Sequence, residues 1–158
     1  MAGGVRGQVP RRRSVGLRGH DLIPKNPTMQ EKASDRVALV FPCSGGSDVG
    51  ELADRAARKL HRDGTGQMYC LAGIGGRVPG IIKTTKAADF RVAIDGCAVG
   101  CSSKTLDRAK VGPFRRVCVT DLGFEKGGTD VTAKSIAAVS HAVERELRAR
   151  SMGEEGHE

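Results

Sequence analysis

A small α/β domain of three layers is what the sequence predicts, with a mainly parallel sheet of about four strands and helices on both faces. Three observations carry that expectation. Short, almost unbroken apolar runs recur along the chain, as strands buried on both faces require. Each run leads into a loop of small residues, and most of those loops lead on into a helix-period pattern. Parallel strands need crossover connections, so successive strand–helix units imply such a sheet.

The first run, Arg36–Phe41 (RVALVF), is the first strand. The loop Cys43-Ser-Gly-Gly-Ser-Asp48 follows it and opens a helix, with Asp48 and Glu51 spaced as a capping box and Ser47 as an alternative cap. Val49, Leu52, Ala53, Ala56 and Leu60 form one apolar face, and Lys59 and Arg62 suit the C-terminal end before Gly64. The second strand is expected over Gln67–Ala72, running into Gly73-Ile-Gly-Gly76. Pro79 suits the first turn of a short helix reaching Ala88. The third strand is Phe90–Ile94, followed by Asp95-Gly96-Cys97 and a helix from about Ala98 to Lys110. The fourth strand is Arg116–Thr120. After Gly127-Gly128, Thr129 or Asp130 caps a last helix with Ile136, Val139, Val143 and Leu147 on one face.

The 158 residues suit one domain, placed at 36–150 between a basic tail at 1–35 and an acidic tail at 151–158. Residues 1–35 hold the Arg11–Arg12–Arg13 run, three of the six prolines and no sustained apolar period, which predicts disorder. Hydrophobic residues make up 39% and aromatics only 3%, with no Trp, so Val, Ile, Leu and Ala must fill the core. The net charge of +8 divides into +5 in residues 1–36, +6 in residues 37–150, and −3 from Glu154, Glu155 and Glu158. The folded region is mildly basic, and its aromatics, Phe41, Tyr69, Phe90, Phe114 and Phe124, are scattered. A stacking platform for nucleic acid is therefore not expected. No apolar run is long enough to span a bilayer, and no N-terminal stretch reads as a signal peptide, so a cytoplasmic protein is expected.

In that setting, five cysteines read as thiols or metal ligands rather than disulfides. Cys43 follows the first strand, Cys70 lies near the end of the second, and Cys97 and Cys101 follow the third. Loops that follow strands in a parallel sheet gather on one edge, where ligands bind. Four thiols on that edge predict a metal site of Cys43, Cys70, Cys97 and Cys101, with zinc as the ion. Cys118, between Val117 and Val119, reads as a core residue. Four bound thiolates leave net negative charge, which amides of the Gly45-Gly46 and Gly73–Gly76 loops, Lys104 or Arg77 would offset.

The segments FPCSGGSDVGELADRAARKL, MYCLAGIGG, VAIDGCAVGCSSKTL and VTDLGFEK together resemble the DGC-domain family, described as zinc-binding and named for an Asp-Gly-Cys motif, here Asp95-Gly96-Cys97. The resemblance covers about residues 36–148. It implies a small α/β domain with Cys43, Cys70, Cys97 and Cys101 as metal ligands, and it names no reaction.

Other motifs fail. Gly73-x-Gly75-x-x-Val78 lacks the third glycine of a dinucleotide fingerprint, and Cys101 stands where a phosphate-binding loop needs Lys. Val49 stands six residues after Cys43, where a thiol phosphatase places arginine. None of His20, His61, His141 and His157 is placed for catalysis. Asp95 and Asp121 end strands on the same edge, as turn caps or as groups that orient a ligand. Two further functions stay open besides zinc binding in a structural, storage or thiol-exchange role. One is a sulfur carrier or thiol-redox enzyme using Cys43 or Cys97, and the other is an iron–sulfur protein. Deleting residues 1–34 is expected to leave the thermal midpoint and metal content nearly unchanged; a loss of many degrees in a melting scan would mean that the segment packs on the domain.

Overall fold

The computed structural model describes residues 38–153. The basic tail expected at 1–35 lies outside them, as do residues 154–158 of the acidic tail. Four strands form one sheet: β1 (Ala38–Pro42), β2 (Gln67–Met68), β3 (Phe90–Asp95) and β4 (Arg115–Cys118). Every pairing is parallel and the spatial order is β2-β1-β3-β4. Val40 sits beside Val92, Pro42 beside Ile94, and Asp95 beside Cys118. The chain steps from β1 outward to β2 and then returns to β3 on the other side of β1. The carboxyl ends of β1 and β3 therefore flank the point where the winding reverses, the usual ligand crevice of such sheets.

The helices are α1 (Asp48–Arg62), α2 (Leu71–Gly75), α3 (Pro79–Ala87), α4 (Cys101–Ala109) and α5 (Ala133–Gly153). Side-chain alternation along the strands sorts them into two layers. Val40, Val92, Ile94 and Val117 join Leu52, Ala56 and Leu60 of α1 and Val139 and Val143 of α5. Leu39, Phe41 and Ala93 point the other way, onto Ile74 of α2 and Leu106 of α4, with Ile81 and Ile82 of α3 packed alongside. The result is the three-layer α/β domain with helices on both faces. Among the described residues, no helix is long and apolar enough to cross a membrane. Cys118 is buried in β4, its Sγ 3.2 Å from Thr120 Oγ1.

Several element boundaries differ from the pattern-based expectation, each for a tertiary reason. Ser47, the alternative cap, is the cap of α1: its Oγ accepts from Gly50 N at 3.3 Å. Asp48 begins the helix itself. Its carboxylate accepts from Gly127 N at 2.9 Å and Thr129 N at 2.8 Å, amides of a loop about eighty residues away that a sequence window cannot see. Glu51 pairs with Arg55 at 2.7 Å instead of closing a capping box.

The expected second strand, Gln67–Ala72, shrinks to two residues. Pairing with β1 ends just after Tyr69 N donates to Val40 O at 2.9 Å, and the small residues beyond turn into α2. The helix expected from Ala98 begins at Cys101, after Gly100 in the left-handed region at φ 68°. The fourth strand ends at Cys118, and Thr120–Leu122 form a 3-10 turn. Thr129 hydrogen-bonds both the N–H and the C=O of Glu125, closing that loop, so it does not cap α5. That role passes to Thr132, whose Oγ1 accepts from Ser135 N at 3.2 Å while Ser135 Oγ accepts from Thr132 N at 2.8 Å.

Two buried charged side chains hold loop and helix ends in place. Arg91 of β3 is 6% exposed and donates to the carbonyls of Thr85, Lys86 and Ala88, capping the C-terminal end of α3 with a cation. Asp95 is fully buried at the end of β3, and its partners are described with the site. Gly96 lets α1 approach that strand end. A Cβ there would lie 2.8 Å from Gly50 N and 3.0 Å from Gly50 Cα, and both are backbone atoms that cannot rotate away. Gly96→Ala is expected to destabilise the fold by about 1–3 kcal/mol, as overpacking does, measured by urea unfolding; an unchanged midpoint would refute this close contact.

Candidate thiol site

Four of the five cysteines stand in or beside loops that follow strands. Cys43 directly follows β1, and its N–H donates to Ile94 O at 2.7 Å, which fixes it beside the end of β3. Cys70 caps α2: its Sγ accepts from Gly73 N at 3.3 Å. Cys101 is the first residue of α4 and is exposed. Cys97 lies in the loop between β3 and α4, half-buried. All five thiols are free.

Cys43, Cys70 and Cys101 line one groove of about 530 Å³. Tyr69, Leu71 and Thr105 complete much of its wall, which is mostly apolar. Tyr69 is held by an edge-to-face contact with Phe41, ring centres 6.0 Å apart and planes at 86°. Cys97 does not line the groove. It packs against the α1/α5 core, with Lys126 Nζ 3.9 Å from its Sγ. The late start of α4, at Cys101, leaves Cys97 in the loop before the helix.

Asp95 sets the shape of this edge. Its Oδ1 accepts from Ser102 N at 2.8 Å, and its Oδ2 accepts from Ser103 Oγ and from Arg116 Nε, the latter at 2.9 Å. Ser102 Oγ in turn donates to Phe41 O at 2.7 Å. The first turn of α4 is thereby fastened to the ends of β3, β4 and β1 together. Asp95 is thus the turn-capping group of the two roles considered, with its carboxylate oxygens engaged inside the protein. Asp121 is exposed in the 3-10 turn.

Burial is the main cause that raises the Cys43 thiol pKa above its ordinary value, and the negative charges of Cys101 and Asp95 add to it. N–H groups of Gly96 and Gly45 act in the opposite direction by donating to the sulfur. The Asp48 carboxyl is held low because Gly127, Thr129 and Val49 N–H groups favour its charged form.

Thiol sulfurs are suitable donors for a soft ion such as zinc. The groove gathers three of the four expected ligands, and among the described residues no group of three or more His, Cys, Asp or Glu is arranged to hold a metal. Lys104 and Arg77 are exposed, and Lys126 Nζ is the cation beside Cys97. Neither Lys126 nor the groove wall of Tyr69 and Leu71 carries a local sequence signal, because distant segments bring them in.

The model of the DGC domain matches residues 39–143. The chain is also 32% identical over 119 residues to the Anaerobic and virulence modulator AnvM of Pseudomonas aeruginosa, a match covering 75% of this chain and 91% of the relative. No solved structure matches it significantly. With the Asp95-Gly96-Cys97 motif at the end of β3 and the family model spanning the sheet and most of the helices, the chain belongs to the DGC-domain family.

Proposed function

We propose that this DGC domain is a cytoplasmic thiol-chemistry module, in which Cys43, Cys70 and Cys101 meet a sulfur-containing partner in the groove and exchange sulfur–sulfur bonds with it. The observation that carries this reading is that three thiols from three separate loops open on one groove. A mostly apolar wall beside them suits the body of a small ligand, leaving the sulfurs to approach its reactive atom. In such an exchange a thiolate attacks a disulfide, one sulfur–sulfur bond forms as another breaks, and the departing thiolate takes the proton. A reducing cytoplasm would keep the resting thiols free. The relative's name, which refers to anaerobic modulation, suits a site whose sulfurs change state with the available oxidant.

A second reading is zinc binding through Cys43, Cys70, Cys97 and Cys101. It is favoured by the amide hydrogens aimed at sulfur, from Gly73 to Cys70 and from Gly45 and Gly96 to Cys43, because such donors stabilise metal-bound thiolates. Zinc, when bound, holds its sulfurs as thiolates and lowers their availability to electrophiles.

Alkylation of the full chain purified without oxygen separates the two. On the exchange reading, at least one of Cys43, Cys70 and Cys101 labels rapidly in the native protein, and a chelator changes nothing. Slow labelling that a chelator relieves together at Cys43, Cys70, Cys97 and Cys101, with about one zinc per chain, would replace exchange by metal binding.

The same assay has a pH signature. Cys43 should stay protonated at neutral pH, and its labelling should rise with a midpoint above that of an ordinary exposed thiol. Cys101→Ser removes a neighbouring negative charge and should move that midpoint down. A midpoint unchanged in Cys101→Ser, read by peptide mass spectrometry, would contradict the coupling of the two sulfurs.

A further inference from the structure

We infer that the thiols of the groove are not equivalent: Cys101 is the thiol that meets an incoming disulfide, Cys43 is the one that resolves it, and the product is an internal Cys43–Cys101 bond that leaves Cys70 free. The assignment rests on the exchange reading above.

Three features carry it. The first is the way the two backbones are held. Cys101 is followed by Ser102, whose hydroxyl bonds to Phe41 O and whose N–H bonds to buried Asp95. Cys43 lies two residues after Phe41 and bonds through its own N–H to Ile94 O, one residue before Asp95. Both cysteines are thus anchored to the same two strand ends, at the point where the winding of the sheet reverses. The second is accessibility. Cys101 is exposed at the first residue of α4, whereas Cys43 is half-buried. An external disulfide reaches the first before the second. The third is the position of Cys70. Its sulfur is engaged by Gly73 N as the cap of α2, on an edge-strand connection, and it has no comparable tie to β3.

The chemistry balances with a small-molecule disulfide as oxidant. The Cys101 thiolate attacks one sulfur of that disulfide, forming a mixed disulfide and releasing the first small thiolate. Cys43 then attacks Cys101 Sγ, the mixed bond breaks, and the second small thiolate leaves. The protons of the two protein thiols end on the two released small thiols. The protein loses two electrons and the small disulfide gains them.

The test uses the full chain, oxidised glutathione as probe, and peptide mapping by mass spectrometry after blocking of free thiols. The wild type is expected to yield a Cys43–Cys101 linked peptide with Cys70 alkylated. Cys43→Ser, and Cys43→Ala alongside it, should trap glutathione on Cys101; Cys101→Ser should lose both the trapped adduct and the link. Cys70→Ser should form the link as the wild type does. A wild-type link that includes Cys70, or glutathione trapped on Cys70 in the Cys43 variants, would overturn the assignment while leaving thiol exchange standing. Failure of any cysteine to take up glutathione in the wild type and in both Cys43 variants, with circular dichroism showing them folded, would overturn the exchange reading and this assignment together.

Discussion

The buried carboxylate of Asp95 is the constraint on which the functional edge depends. A carboxylate removed from water is costly unless it is paired and hydrogen-bonded. Here its side chain is 1% exposed and receives Ser102 N, Ser103 Oγ and Arg116 Nε. Those donors come from α4 and β4, so one side chain at the end of β3 joins three elements. The loop between Asp95 and Cys101 is closed at both ends by that carboxylate. Gly100, at φ 68°, is the residue that lets the chain turn back toward it. The positions of Cys97 and Cys101 follow from this closure rather than from a helix running through both.

Close backbone contact is the second organising feature, and it explains the glycines that accompany the thiols. Gly45, Gly50 and Gly96 meet where the loop after β1, the start of α1 and the loop after β3 converge. A side chain at Gly50 would press on Gly45 backbone atoms at 3.0 Å, and one at Gly96 would press on Gly50. The same small residues leave N–H groups free to point at Cys43. Tight packing and hydrogen bonding to sulfur are therefore two consequences of one choice of residue.

Asp48 performs a comparable long-range task on the other side of α1. It begins the helix, where negative charge is favoured by the dipole, and it receives two amides of the loop at Gly127–Thr129. That loop carries Lys126 to Cys97. The domain thus presents two different thiol environments on one edge: a groove with Cys43, Cys70 and Cys101, and a separate half-buried Cys97 beside a cation. The family motif names Cys97, yet the groove is formed by the other three.

The layered α/β class, the four parallel strands and the two-sided burial of β1 and β3 were legible in the sequence. Runs such as Val37–Phe41 and Phe90–Ile94 can be satisfied only by burial on both faces, and the apolar faces of α1 and α5 repeat at helical spacing. The placement of Cys43, Cys97 and Cys101 after strands followed from the same alternation, as did the core position of Cys118; Cys70, expected inside the second strand, instead caps α2. Which thiols share a site was decided only by tertiary structure. Whether Cys97 turns toward the groove depends on where α4 starts, and that start is fixed by Asp95, Ser102 and Phe41, residues up to 61 positions apart. Local spacing constrains the turn a residue occupies; the direction its side chain takes is set by partners that the chain brings in from elsewhere.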